Sequence, residues 1–251
     1  MLELLTSQTI NQNTKSTLWK FIDAIYPPSC CNCGVIGAEI CNKCRGQIRI
    51  IPLEKACNKC GNLLDVKHKC VNEKFHTDYQ FQQSRSWGFY DGPLKIALRK
   101  IKYERGFGLI KYFIDPIAHF IKEWGIGFDF LVPVPLGVQR KEERGYNQAE
   151  ILARPVARLI EKPLFTGAIT RIKETRSQVG LNHQQRKENV SGAFTANREI
   201  CNENNILLFD DITTTFSTLN ACASALMLAG AKSVFCFTVA RTIFQLEKEK
   251  K

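Results

Sequence analysis

Short apolar runs alternate with helical patterns in the second half of the chain. The runs at 129–135 (DFLVPVP), 205–211 (NILLFDD) and 233–240 (SVFCFTVA) are typical of buried strands. Between and after them, 148–162 and 217–230 carry apolar residues at helical spacing. Because strands that alternate with helices usually pair in parallel, this order predicts an α/β fold with a parallel sheet flanked by helices.

The preceding stretch combines aromatic and basic residues. From Phe75 to Tyr90 the aromatic residues alternate as they do in strands, and a DGP turn follows. Leu94–Lys111 then places apolar side chains on one face and basic ones on the other, which predicts an amphipathic basic helix. The next pattern, at 109–124, predicts a helix that is bent or restarted at Pro116.

Cysteines concentrate near the amino terminus, where eight of the 11 lie between Cys30 and Cys70. Three pairs have the Cys-x-x-Cys spacing that lets two thiolates face one ion, and zinc prefers four such ligands in a tetrahedron. In a reducing compartment, clustered cysteines bind metal more often than they form disulfides. A redox role for one pair would need a thioredoxin-like βα setting, which this stretch lacks.

Two zinc sites can be assembled from these residues. The first two pairs close a Cys₄ site, while the third pair and Cys70 supply three ligands of a second site. Its fourth ligand is His68 or His76, and we expect His68. The predicted ligands are Cys30, Cys33, Cys41, Cys44, Cys57, Cys60, Cys70 and His68. Such a small module has little core, so we expect it to fold only with its metal.

Composition divides the chain into three parts. Residues 1–25 are predicted to be an N-terminal helical segment, because Thr17–Tyr26 carries its apolar positions on one helical face. Pro27 and Pro28 mark the border of a zinc-ribbon module at 26–72, and residues 73–245 form the larger α/β domain.

The charge balance points to anionic partners. The chain has 35 Lys and Arg against 24 Asp and Glu, a net charge of +11. That excess suits nucleic acid, phosphorylated metabolites or acidic membrane surfaces, and charge alone does not choose among them. The chain contains no apolar run of roughly 20 residues and its first residues lack the order of a secretory signal, so we expect a cytoplasmic protein without a membrane span.

The most informative segment is DDITTTFST at 210–218, here called the acid–hydroxyl loop. Asp210 and Asp211 follow a buried strand and can accept hydrogen bonds from two vicinal ribose hydroxyls. Hydroxyl side chains then precede a helix, whose amino terminus favours a phosphate; they are Thr214, Thr215, Ser217 and Thr218. The alternative is an acidic turn and a capped helix that bind nothing.

This loop resembles the phosphoribosyl diphosphate (PRPP) loop of type I phosphoribosyltransferases. With LVPVPL (131–136), RKEERGYNQAEILA (140–153) and RIKETRSQVGLNHQQRKENVSGAF (171–194), the chain resembles the ComF/ComFC competence family from Tyr26 to Arg241. The resemblance implies a type I phosphoribosyltransferase-like domain joined to a cysteine module. It also implies that Asp210 and Asp211 hold the ribose of PRPP, with Mg²⁺, at the catalytic position.

Other site residues are predicted outside this loop. From their own position after the 129–135 strand, Arg140 and Arg144 are expected to neutralise a diphosphate, because arginine forks onto phosphate oxygens; the alternative, favoured by Glu142 and Glu143, is a solvated charged helix start. A loop closes over the reaction centre in the related transferases, and the loop at 171–190 is expected to do the same. Its candidates for contacts to the diphosphate or to a nucleic-acid backbone are Arg176, Gln178, Arg186 and Asn189; His183 in the same loop is either a titrating group or a solvated one. Phe216 stands where the transferases carry glycine, and its bulky ring is expected to crowd the phosphate cradle.

Three functions remain open from the sequence. The first, which we favour, is a DNA-uptake factor for natural transformation that has PRPP or a related phosphate as ligand and binds single-stranded DNA along the basic helix and nearby aromatic residues. The second is an active phosphoribosyltransferase of unknown acceptor. The third is a noncatalytic scaffold that contacts other competence proteins, such as a helicase, through its zinc module.

Overall fold

A computed structural model describes residues 27–173 and 192–242. Its central sheet contains four strands, β1 (Gln83–Phe89), β2 (Phe130–Pro133), β5 (Asn205–Thr213) and β6 (Ser233–Arg241), in the order β1-β6-β5-β2. All three neighbouring pairs are parallel. The predicted parallel sheet is therefore confirmed. A separate antiparallel pair, β3 (Ile169–Arg171) and β4 (Phe194–Ala196), was not predicted.

Helices connect these strands. They are α1 (Asn42–Gly46), α2 (Gly92–Tyr103), α3 (Lys111–Trp124), α4 (Val138–Arg144), α5 (Gln148–Leu159), α6 (Arg198–Cys201) and α7 (Ser217–Leu228). Short 3₁₀ turns lie at Leu53–Lys55, Glu73–Asp78 and Phe107–Leu109. In the described part of the chain, none of the helices is long and apolar enough to cross a membrane.

Three local predictions need correction. The strand within Phe75–Tyr90 is limited to β1, because the earlier part of that stretch forms a 3₁₀ turn. The basic helix α2 ends at Tyr103 because the amides of Glu104 and Gly106 both bond the Lys100 carbonyl and Arg105 takes φ 54°. Helix α3 does not restart at Pro116 but continues through it, because Pro116 lies on the exposed side, where the one hydrogen bond that it removes is peripheral; a bend at Pro116 stays a prediction.

Each face of the sheet carries its own core. Leu207 and Phe209 on β5 point to one face, where the apolar sides of α2, α3 and α5 cover them. Ile206 and Leu208 point to the other face, where α7 packs. Alternate residues of one strand thus enter opposite cores, as expected for a parallel sheet that is buried on both sides.

The cysteine-rich segment covers the edge of the sheet at β1. Ile50 forms an antiparallel bridge with Gly88, and the amide of Phe89 donates to the Arg49 carbonyl at 3.0 Å. A Cβ on Gly88 would lie 3.0 Å from that carbonyl oxygen and 2.9 Å from a methyl of Leu94. Glycine therefore permits the close approach by which this segment caps an otherwise exposed edge strand.

Candidate functional site

A cleft of about 530 Å³ opens at the carboxyl edge of the parallel sheet. Its walls include the residues that directly follow strands: Tyr90 after β1, Val134 and Pro135 after β2, and Thr242 after β6. Ligands of open α/β sheets bind at this edge, because the strand ends and the loops after them converge there. The cleft is therefore the candidate ligand site.

The paired acids lie in this cleft at the end of β5. The amide of Asp211 donates to Oδ1 of Asp210, and the amide of Ile212 donates to Oδ1 of Asp211, each at 2.8 Å. Burial, and then the nearby charge of Asp211, raise the pKa of Asp210 well above its usual value, while Lys102 acts in the opposite direction. Such a pair is suited to hold ribose hydroxyls or a cation, either of which offsets the repulsion between the two carboxylates.

The four predicted hydroxyl residues divide into two pairs. Thr214 and Thr218 line the cleft with the acids. Thr215 and Ser217 do not; their side-chain oxygens lie 2.9 Å apart, and both residues line a small separate hollow beside Phe216. Because Thr218 is in the first turn of α7, the cleft combines its hydroxyl with a helix amino terminus, an arrangement that favours phosphate.

Phe216 does not crowd the cleft, and that expectation was wrong. Its φ of 63° and ψ of 0° are the left-handed values that glycine adopts readily. Its ring is turned away from the cleft into the core, where it is 2% exposed and lies 5.5 Å from the Tyr79 ring and 5.7 Å from the Phe81 ring. The backbone thus keeps a glycine-like conformation although the side chain is large.

Basic and aromatic side chains form a further part of the cleft wall. Arg140 and Arg144 line it from α4, as predicted. Lys102 from α2, Arg171 from β3, and the rings of Tyr90 and Tyr103 also line it. The two tyrosines and Lys102 were not among the predicted site residues. Their positions in the sequence could have indicated a place in the site, because Tyr90 directly follows β1, and Lys102 and Tyr103 end the helix that comes next.

The loop between β2 and α5 is held by side-chain hydrogen bonds. Asn147 caps α5 by accepting from the Ala149 amide at 3.1 Å, and it donates to the Val134 carbonyl at 2.9 Å. The Tyr146 hydroxyl donates to the Ile101 carbonyl at 2.6 Å. The arginine-bearing helix α4 is therefore tied to β2 and α2.

Some of the predicted features lie outside the described residues. They are the loop residues Arg176, Gln178, His183, Arg186 and Asn189, and the predicted helix at Thr17–Tyr26.

The first cysteine cluster brings together Cys30, Cys33, Cys41 and Cys44, whose sulfur atoms lie within 4.8 Å of one another. The sulfurs of Cys33 and Cys41 are 3.7 Å apart. Four sulfurs at a zinc bond length of about 2.3 Å would be separated by about 3.8 Å, so the spacing fits a tetrahedral zinc site. The amide of Cys41 also points at the Cys30 sulfur at 3.4 Å, as expected around thiolates.

The second cluster consists of Cys57, Cys60, Cys70 and His76. The sulfurs of Cys60 and Cys70 are 3.4 Å apart, and Nε2 of His76 lies 3.4 Å from Cys70 and 3.7 Å from Cys57. Three sulfurs and one imidazole nitrogen are a common zinc donor set. The donors therefore fit the predicted ion.

The fourth member of this cluster is His76 and not His68. His68 is exposed and sits at φ 57° in a tight turn, where its amide donates to the Asp65 carbonyl at 2.9 Å. Oδ1 of Asp65 accepts from the amides of Lys67 and Lys69, which closes that turn. The 3₁₀ turn at Glu73–Asp78 instead returns the chain to the sulfurs and delivers His76.

The described residues thus form a parallel α/β protein with two four-donor clusters beside its sheet. Residues 21–72 match the family described as the double zinc ribbon domain, which confirms the predicted cysteine-rich zinc module.

The chain is also similar to competence and DNA utilization proteins. It is 26% identical to Competence protein F of Haemophilus influenzae, over 80% of this chain and 90% of that protein. It is 29% identical to Competence protein ComFC of Bacillus subtilis, over 81% and 85%. It is 26% identical to DNA utilization protein YhgH of Escherichia coli K12, over 81% and 91%. These relatives confirm the resemblance to the ComF/ComFC family.

A solved structure of the allosteric regulatory enzyme of purine biosynthesis matches 49% of this chain and 24% of its own, with 17% identity and a TM-score of 0.34. A likeness of that size carries no argument about function.

Proposed function

We propose that the protein is a ComF-type competence factor that binds a phosphoribosyl compound, such as PRPP with Mg²⁺, in its cleft and handles single-stranded DNA. The observation that carries the proposal is that Asp210, Asp211, Thr214 and Thr218 share one cleft with a basic wall. The relatives named for competence and DNA utilization support the biological setting.

The acids are suited to the sugar. Two adjacent carboxylates can accept hydrogen bonds from two vicinal hydroxyls, which a ribose ring presents on one side. Burial, and then the charge of Asp211, raise the pKa of Asp210, so a ligand that brings hydroxyl donors or Mg²⁺ stabilises the ionised pair as it binds. Selectivity for a ribose over a simple phosphate follows from this pairing.

The hydroxyls and cations are suited to the phosphates. Thr214 and Thr218 stand at the amino terminus of α7, where amide groups and the helix dipole favour an anion. Arg140, Arg144 and Lys102 line the same cleft and can neutralise a diphosphate. One cleft therefore carries partners for each charged part of PRPP.

The single-strand proposal rests on the surface next to the cleft. Lys95 lies over the Tyr90 ring at 5.9 Å, and Lys102 and Arg144 lie 5.7 Å and 5.3 Å from the Tyr103 ring centre. The Tyr103 side chain is 63% exposed, so a base can stack on it. Exposed aromatic faces beside cations are the elements with which proteins hold single strands.

Calorimetric titration with PRPP and Mg²⁺ tests the ligand. We expect saturable binding by the wild type and its loss in the double variant Asp210→Asn and Asp211→Asn. The matched control is Asp115→Asn, an exposed acid on α3. Failure of the wild type to bind PRPP, either alone or with DNA present, would overturn the ligand proposal.

A salt-titrated binding assay tests the DNA role. We expect affinity for single strands at about 50 mM salt and a logarithmic decline as salt rises, because cation–phosphate contacts release counterions. Replacing both Lys95 and Arg144, the cations beside the Tyr90 and Tyr103 rings, with alanine should reduce the magnitude of the slope by about 0.7 for each phosphate that is no longer neutralised. No binding at about 50 mM salt would remove the DNA role.

Phosphoribosyl transfer is the second candidate. It is favoured by Phe216, whose ring leaves the cleft open although the transferases carry glycine at that position. Release of pyrophosphate from PRPP on addition of a nucleobase or single-stranded DNA, lost in Asp210→Asn, would support it. PRPP binding without pyrophosphate release across those acceptor classes would leave the protein as a binding factor.

A further inference from the structure

We propose that the second metal cluster positions the acid–hydroxyl loop, and that Phe216, Arg241 and Asn220 are the positioning residues through which it does so. An effect of the second cluster on ligand affinity rests on the proposed function, whereas the structural connection between that cluster and the loop does not. The two sites lie on opposite sides of the loop backbone: Thr214 and Thr218 face the cleft, and Phe216 faces the cluster side.

The first connection is aromatic. Tyr79 follows the cluster residue His76 by three positions, and its amide donates to the His76 carbonyl at 3.3 Å. The Tyr79 ring lies 4.8 Å from Phe81 and 5.5 Å from Phe216. Because Phe216 is held at a left-handed φ, which is unfavourable for any residue with a Cβ, the packing of its ring has to maintain that conformation.

The second connection is a buried arginine. Arg241 ends β6, is 2% exposed, and places its guanidinium 5.2 Å from the centre of the Phe216 ring. Its Nη1 donates to the carbonyl of the cluster residue Cys60 at 3.1 Å. A cation that is removed from water gains much from a ring face and a carbonyl oxygen. Arg241 thus joins the Cys57–Cys60 knuckle to the residue that shapes the loop.

The third connection is an amide clamp. Asn220 lies in the first turn of α7, directly after the loop. Its side chain donates to the Asp78 carbonyl at 3.0 Å and accepts from the Gln80 amide at 2.6 Å. Both groups belong to the chain that leaves His76. The start of α7 is therefore fixed to the segment that the second cluster anchors.

The first cluster supplies an internal control. Cys30 and Cys44 pack in the core that α2 and α3 share, on the other face of the sheet from Phe216. Loss of an ion from the first cluster disturbs the far core and leaves Tyr79, Phe216 and Arg241 in place. The two clusters are chemically similar. If loss of the ion affects the loop at only one of them, the effect comes from where that cluster lies and not from metal binding in general.

The test compares His76→Ala with Cys33→Ser in the full chain, without ligand. Zinc content by mass spectrometry should fall by one ion in each variant. Hydrogen exchange of the amides of 214–218 should accelerate by about tenfold in His76→Ala and remain unchanged in Cys33→Ser. Equal loop exchange in both variants, with one ion lost from each, would overturn the proposal.

A second variant covers the case in which His76→Ala does not fold. Asn220→Ala leaves every metal donor intact, so zinc content should stay at the wild-type value while exchange at 214–218 accelerates. Unchanged exchange in this variant would overturn the proposed clamp. Because exchange is measured without PRPP, failure of the wild type to bind PRPP would refute the proposed function and leave this comparison valid.

Discussion

The guanidinium of Arg241 lies over the ring of Phe216 at 5.2 Å, with both side chains 2% exposed. Arg241 ends the central strand β6, and Phe216 is the residue at which the acid–hydroxyl loop turns into α7. A large residue therefore occupies a glycine-like backbone position because its ring has a cation and two other rings to pack against. Through its hydrogen bond to the Cys60 carbonyl, Arg241 also connects this ring to the cysteine-rich segment.

Replacing Phe216 with glycine should destabilise the protein although the backbone would be relaxed. Losing a buried phenyl ring costs about 3–5 kcal/mol, and relief of the left-handed conformation returns about 1 kcal/mol. We expect a net loss of about 2–4 kcal/mol in the free energy of unfolding, measured by urea denaturation. An unchanged midpoint would show that the ring is not packed as described.

Replacing Asp210 with asparagine should raise stability at neutral pH and abolish PRPP binding. The pKa of Asp210 is raised in the folded state by burial and by Asp211, so the folded state retains a proton that the unfolded state loses. The contribution of Asp210 to stability therefore falls as pH rises from its pKa in the unfolded state to its pKa in the folded state. Above the folded-state pKa the contribution stays low.

Thermal unfolding between pH 5 and pH 8 measures this effect. The wild type should lose stability relative to Asp210→Asn as pH rises. A stability difference between the wild type and Asp210→Asn that stays constant from pH 5 to pH 8 would contradict the raised pKa.

Replacing Gly88 with alanine should loosen the zinc module from the edge of β1. A Cβ there would lie 2.9 Å from the buried Leu94 Cδ2 methyl and 3.0 Å from the Arg49 carbonyl oxygen, and that backbone oxygen cannot move without disturbing the neighbouring bridge between Ile50 and Gly88. Overpacking of this kind costs about 1–3 kcal/mol. The control is Gly127→Ala, since a Cβ at Gly127 meets nothing within 4 Å. Equal unfolding midpoints for the two variants would contradict the docking geometry.

Removing metal should unfold the cysteine-rich segment before the sheet. The two clusters predict two zinc ions per chain, each held by four donors. The buried cysteines Cys222 and Cys236 lie in the sheet core, and burial raises the pKa of each thiol well above its usual value. A chelator should therefore expose the cluster thiols to a thiol reagent while these two stay protected. Simultaneous reaction of all thiols would show that the sheet does not survive loss of the metal.

The sequence predicted the sheet and the first cluster because their signals are local. Apolar runs of strand length alternated with helical patterns, and two Cys-x-x-Cys pairs close together leave few alternatives for four sulfurs. The pair β3–β4 was missed because three-residue strands show no periodicity. The two strands flank a polar segment whose sequence gives no indication that they pair.

The remaining errors concern the path by which the chain returns to the second cluster and the direction of the Phe216 ring. Spacing placed His68 nearer than His76 to the cysteines, but the Asp65 turn leaves His68 exposed and a 3₁₀ turn returns His76 to the cluster. The acid–hydroxyl loop was recognised, yet the direction of the Phe216 ring depends on Tyr79, Phe81 and Arg241, which are distant in sequence. Local pattern carries no information about such contacts.

A crystal structure grown with PRPP and Mg²⁺ tests the central claim most directly. We expect the ribose hydroxyls on the carboxylates of Asp210 and Asp211 and the 5′-phosphate on Thr214 and Thr218, with the Phe216 ring still turned away. Ligand density elsewhere on the protein, or no ligand density in the cleft at saturating PRPP, would contradict it.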